Sequence, residues 1–151
     1  MIKHILSSVQ SALKERVPDL RYIAEDWGQL DFYREKPPVN FPCALIGFSS
    51  GEYSDSGQGQ QLAKIEFTVS VTDMPLVRGS AARPDSEQSF DSYELLQKVY
   101  RTLQGLGDDC FAPVTRKRLM KISRDDGLRE WIFTFQTAFL DNDAIKIRDR
   151  R

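Results

Sequence analysis

TRKRLMKISRDDGLREWIFTFQTAF (Thr115–Phe139) is the stretch whose reading decides the fold. Its first seven residues carry four cations, Arg116, Lys117, Arg118 and Lys121. Its far end alternates: Trp131, Phe133, Phe135 and Phe139 fall on one side, Thr134 and Gln136 on the other. That is the period of a strand with one buried and one wet face. Between the halves stands Asp126-Gly127, a hairpin signal because both central positions of a type I′ turn need positive φ. In the arm before the turn, strict alternation places Arg116, Arg118, Met120 and Ile122 on one face. Lys117, Leu119 and Lys121 then share the opposite one. The stretch reads as one hairpin with a core second arm and a basic first arm.

Working outward, Ile2, Ile5, Leu6, Val9 and Leu13 keep the spacing of an amphipathic helix. Pro18 ends it, because the residue before a proline is pushed out of the helical region. LRYIAEDWGQLDFY (Leu20–Tyr33) reads as a first strand with an irregularity at Gly28, and VNFPCALIGF (Val39–Phe48) as a central strand entered at Pro42. SSGEYSDSGQGQ (Ser49–Gln60) is polar and glycine-rich, a loop or long hairpin tip. Ile65, Phe67, Val69 and Val71 alternate with polar residues as a half-buried strand. A second long connection, Asp73–Asp85, leads to a helix capped by Asp85 or Ser86, with Phe90, Tyr93, Leu96, Val99, Tyr100 and Leu103 inward and Gly105 and Gly107 closing it. The fold class expected is α+β: a mostly antiparallel sheet of four to five strands with two helices packed on one face. Residues 1–142 form one domain, and 143–151 a flexible basic tail.

Composition is that of an ordinary globular protein, 40% hydrophobic and 28% charged, with formal net charge -1. Charge is unevenly spread. From Val114 to Arg151 there are ten Lys/Arg against six Asp/Glu, a net +4; the first 113 residues hold eleven against sixteen, a net -5. Such asymmetry suits a surface that meets a complementary one, including its own in another copy. The N-terminal apolar run is too short and too charged for a signal peptide or membrane span, which makes the cytoplasm the default compartment.

Chemistry finds little footing. Cys43 and Cys110 match no metal or redox spacing and read as buried free thiols. His4, the one histidine, borders the apolar stripe of the first helix, and its place in the sequence brings no base or nucleophile to it. GEYSDSGQGQ follows neither dinucleotide nor P-loop spacing. Asp108-Asp109 and Asp125-Asp126 fall at turns. The expectation is a protein that is not an enzyme and uses neither metal nor cofactor. The basic arm offers phosphate-type charge without interleaved aromatics on which bases could stack. A partner protein is therefore its first reading and nucleic acid the second.

GQL (Gly28–Leu30), PPVNFPCALIGF, QLAKIEFTVSVTD, a helix, a charged strand and REWIFTFQTAFLDN follow one another in an order that resembles the tail terminator proteins of long-tailed bacteriophages and prophages. These are also called minor tail or tail-completion proteins, of the lambda-like and Mu-like kinds. The likeness spans roughly Met1–Asn142, and V-x-F-P-x-x-L-I (Val39–Ile46) and the late aromatic strand ending in F-L-D are its most telling parts. The resemblance implies an α+β subunit that assembles as a ring, typically a hexamer. The ring caps the tail tube, joins it to the head connector and has no active site or cofactor. It also implies residence in the host cytoplasm, then in the virion tail. That family has no motif-defined interface, so the candidate contact residues come from charge and loop position: Arg116, Lys117, Arg118 and Lys121 on the basic arm, Glu52 and Tyr53 in the first long loop, Arg78 and Arg83 in the second.

Overall fold

The computed structural model describes residues 1–31, 37–74 and 90–145. Helix α1 (Ile2–Arg16) comes first, and Val17 and Pro18 close it where the proline rule requires. Strand β1 (Tyr22–Glu25) is only four residues long. It stops at a turn in which Gly28 has φ 88° and Gln29 is wholly buried. The Gln29 amide braces that turn, donating to the Glu25 carbonyl at 3.0 Å and accepting the Trp27 N–H at 2.9 Å. β2 (Cys43–Gly57), β3 (Gln60–Asp73), α2 (Ser92–Leu103), β4 (Thr115–Ile122) and β5 (Arg129–Asp141) follow.

The five strands lie in the order β1-β2-β3-β5-β4. Only β1 and β2 pair parallel; every other pair is antiparallel. The fold is thus α+β, with both helices on one face of the sheet. Ala44, Ile46, Ile65, Phe67, Val69, Val71, Phe133, Phe135 and Phe139 point to that face and meet Ile5, Val9 and Leu13 of α1 and Leu96, Val99 and Leu103 of α2. A smaller cluster, Leu30, Val39, Cys43 and Leu45, covers one end of the opposite face. Beyond it the face is polar: Thr68 and Glu66 lie across from Thr134 and Gln136.

Several expectations change. Ser49–Gln60 is not a loop: all but its tip continues β2, paired with β3 out to Gly57 opposite Gln60. Gly57, Gln58 and Gly59 all adopt positive φ at that tip, so the glycines there permit a tight reversal. Conversely, Asp126-Gly127 is not a two-residue type I′ turn. Only Gly127 is left-handed, and the connection spans Ser123–Leu128, because Asp126 turns its carboxylate back to the Leu128 N–H and to Arg124. On α2 the buried residues are Ser92, Leu95, Leu96, Val99, Thr102 and Leu103, whereas Phe90 and Tyr93 are exposed. Phe90 precedes the helix, and the stripe is rotated by one residue toward Leu95. Asp85 and Ser86 lie outside the described residues, as do Arg78, Arg83 and the basic end of the tail.

Candidate assembly interface

β4 is the outermost strand, and seven of its eight residues are exposed. The expected face pattern fails at Lys117, where a bulge sets two residues against one of β5: Arg116 pairs with Phe135, and Arg118 with Thr134. The extra residue flips everything before it. Arg116, Leu119 and Lys121 share the helix side; Arg118, Met120 and Ile122 share the open side. Arg116 and Arg118 therefore do not act on one surface.

Each cation has a different setting. The Arg116 guanidinium lies 3.8 Å from the centre of the Tyr100 ring, a cation–π contact. Its backbone N–H donates to Gln104 at 2.8 Å, which closes the outer edge at that point. Among the described residues Arg118 reaches only the Met120 sulfur, at 3.7 Å. Lys121 stands 6.0 Å from the centre of the Trp131 ring, at the limit for such a contact. From Lys117 to Ile122 the outer edge of β4 has no paired strand among the described residues.

Glu52 and Tyr53 sit at the opposite edge of the sheet, three strands away. β1 covers β2 only from Cys43 to Ile46, so beyond that point β2 is itself an edge among the described residues. A second bulge, at Ser49, precedes this segment. Past it, Gly51 and Tyr53 face the helix side, and Glu52 faces the open side directly across from Lys64. The Tyr53 ring folds over Gly51, where an added Cβ would come within 3.0 Å of it. The six predicted contact residues that are described thus form two groups, on two edges that no strand covers among the described residues. The β2 edge escaped sequence reading because its Ser/Gly/Asp composition is that of a loop.

The fold also gathers groups that no spacing could announce. His4 Nε2 donates to Asp108 Oδ2 at 2.6 Å across 104 residues, and Cys110 lies beside them, with one ligand-type atom of each within 4.8 Å of the others. All three are exposed, so Cys110 departs from the expected buried thiol; it sits on the turn that Asp108 holds through the Cys110 and Phe111 N–H groups. Cys43 is buried as expected, and burial pushes its thiol up to about 12, which makes it inert.

The His4 hydrogen bond, then the Cys110 N–H, hold the Asp108 carboxyl below its ordinary value. A folded-state pKa that is lowered contributes stability above the unfolded value of about 3.9, lost as pH falls through the folded value. His4→Ala is expected to raise the Asp108 midpoint toward, but not fully to, that unfolded value, because the backbone donors remain. Carboxyl-carbon NMR titration below about pH 5 checks this; an unmoved midpoint rejects the assignment.

Among the described residues no helix is long and apolar enough to cross a membrane. No family model matches the chain, and no curated protein matches it. Among solved structures, it is similar to a chain of the "Virion of native gene transfer agent (GTA) particle", with 12% identity, a TM-score of 0.47, and coverage of 88% of this chain and 84% of that one.

Proposed function

We propose that the chain is a structural subunit of a phage-type particle, without catalytic role or cofactor. Within that class, we propose a tail terminator that forms a ring of its own copies between the tail tube and the head connector. It would be made in the host cytoplasm and retained in the virion tail. The observation that carries the reading is β4: an outermost strand exposed on both faces, bearing four cations and set against no strand on its outer side among the described residues. An edge of that kind is a template for another chain. The order of segments that resembles tail terminators supports the finer assignment.

Nucleic acid ranks second. The rings nearest the cations are already engaged, Tyr100 beneath Arg116 and Trp131 buried beside Lys121. That leaves charge without a free stacking platform.

Light scattering and native mass spectrometry of the full chain, alone and with purified tail tubes, test the proposal. A discrete oligomer, or one that appears only on tubes, is expected. Arg118→Glu is expected to weaken assembly at least tenfold while leaving the melting curve unchanged, since Arg118 makes little internal contact. Arg116→Glu is expected to lower stability as well, because it loses the Tyr100 contact. A chain that stays monomeric in both settings and binds duplex DNA with steep salt dependence overturns the reading.

A further inference from the structure

We propose that copies of this chain join sheet to sheet: the outer edge of β4 in one copy pairs antiparallel with the outer edge of β2, Ser50–Asp55, in the next. This rests on the self-assembly reading above and specifies its contact. Among the described residues the sheet has two uncovered edges of similar length, and they differ in chemistry. The β4 edge offers Lys117, Arg118 and Lys121; the β2 edge offers Glu52 and Asp55. Each also exposes large apolar side chains, Leu119 and Met120 on β4, Phe48 and Tyr53 on β2. Lysines and a bulge on an edge deter indiscriminate pairing. An edge guarded by cations accepts an acidic partner edge selectively.

Strand direction agrees. Three successive antiparallel pairings separate β2 from β4, so the two run in opposite senses. A neighbour placed alongside in the same orientation therefore brings its β4 antiparallel to β2, with the helices of both copies on one side. Facing agrees as well. Leu119 and Tyr53 both point to the helix side, and opposing them sets Lys117 across from Asp55 and Met120 across from Glu52, with Arg118 diagonal to Glu52. Directly opposed and diagonal pairs are those that stabilise a sheet.

The stagger suits a closed assembly. Leu119 lies level with Val69 of β3, through Phe133, whereas Tyr53 lies level with Ala63. That offset is about 20 Å along the strand, against about 19 Å for the four strand spacings that separate successive copies. Strands tilted by about 45° to the assembly axis result, near the range closed sheets adopt. β1 stops at the level of Ile46 and leaves the pairing segment clear. The contact is head-to-tail, which closes into a ring or extends as a filament according to its rotation.

Two measurements test it. In a Cys110→Ser background, Tyr53→Cys with Leu119→Cys should give a ladder of oligomers with a short bismaleimide. The two sites in one copy are about 25 Å apart, beyond its reach. Lys14→Cys with Leu119→Cys should give none. Separately, Arg118→Glu/Lys121→Glu and Glu52→Lys/Asp55→Lys should each lose association at least tenfold, and an equimolar mixture should recover it; the second should melt lower, because Glu52 faces Lys64 and Asp55 accepts the Gly57 N–H, but both should still unfold cooperatively. Recovery follows because each altered edge then meets an opposite charge in the other variant. A wild-type chain that assembles without the ladder, or a mixture that fails to recover, overturns the edge pairing and leaves the self-assembly reading standing. A wild-type chain that never assembles overturns both.

Discussion

Phe135→Ala is expected to remove about 3–5 kcal/mol of folding stability, enough to leave a domain of this size marginal. Phe135 is fully buried at the middle of β5. Its ring stacks on Phe67 of β3 at 5.6 Å between centres and on Phe133 of its own strand at 5.5 Å. Removing the ring leaves a cavity walled by two rigid aromatics, and such walls collapse poorly, which places the cost toward the upper end. Phe135→Leu, which keeps much of the volume, should cost about half as much or less. Equilibrium denaturation with urea measures both. A melting curve close to wild type for the alanine variant would show that the ring is not in the core.

This core was legible in the sequence because period two needs no tertiary information. Ile65, Phe67, Val69 and Val71 on β3 and Trp131, Phe133, Phe135 and Phe139 on β5 all point to the helix side as their alternation requires. α1 was legible because its helical spacing needs no tertiary information either, with Pro18 as its stop. What failed was local and had physical causes. The bulge at Lys117 adds one residue and inverts the face of Arg116, and alternation cannot show where a bulge falls. The far half of β2 is a strand despite its Ser, Gly and Asp content, because β3 offers it a full ladder of partners. Composition ranks such residues low for strands, but pairing overrides a weak propensity.

The site was less legible than the fold. Charge counting finds the cations of β4, but their separation into one held over Tyr100, one on a bulge, one against the Met120 sulfur on the open face and one beside Trp131 is tertiary. Composition reads Glu52 and Tyr53 as loop residues, whereas they are strand residues on an edge uncovered among the described residues. His4, Asp108 and Cys110 meet only because α1 and the segment after α2 pack side by side. Arg78 and Arg83 fall outside the described residues.

Arg124 is the second residue whose loss should be large, and the sequence marks it as nothing more than one cation near a turn. Its side chain is only 11% exposed. It donates to Asp126 at 2.6 Å, to Glu130 at 3.2 Å and to the Leu30 carbonyl at 3.1 Å. It therefore ties the β4–β5 connection to the segment after β1, across the open face of the sheet. The Asp126 hydrogen bond leads the effects that raise the guanidinium's pKa, and the same bond holds the Asp126 carboxyl below its usual range. Asp126 and Asp31 are well exposed, so their pairing contributes little. Glu130 decides the outcome: its side chain is 12% exposed, and its other oxygen accepts the Ser70 hydroxyl at 2.6 Å. Arg124→Ala strands that carboxylate and the Leu30 carbonyl without their donor, and is expected to cost about 3 kcal/mol. Glu130→Gln removes the stranded charge, so Arg124→Ala/Glu130→Gln should recover about 1 kcal/mol or more of that loss. A double-mutant cycle by urea denaturation reads this coupling directly. Additive losses would mean that Glu130 is solvated in the folded chain and that the cation serves only to shape the turn.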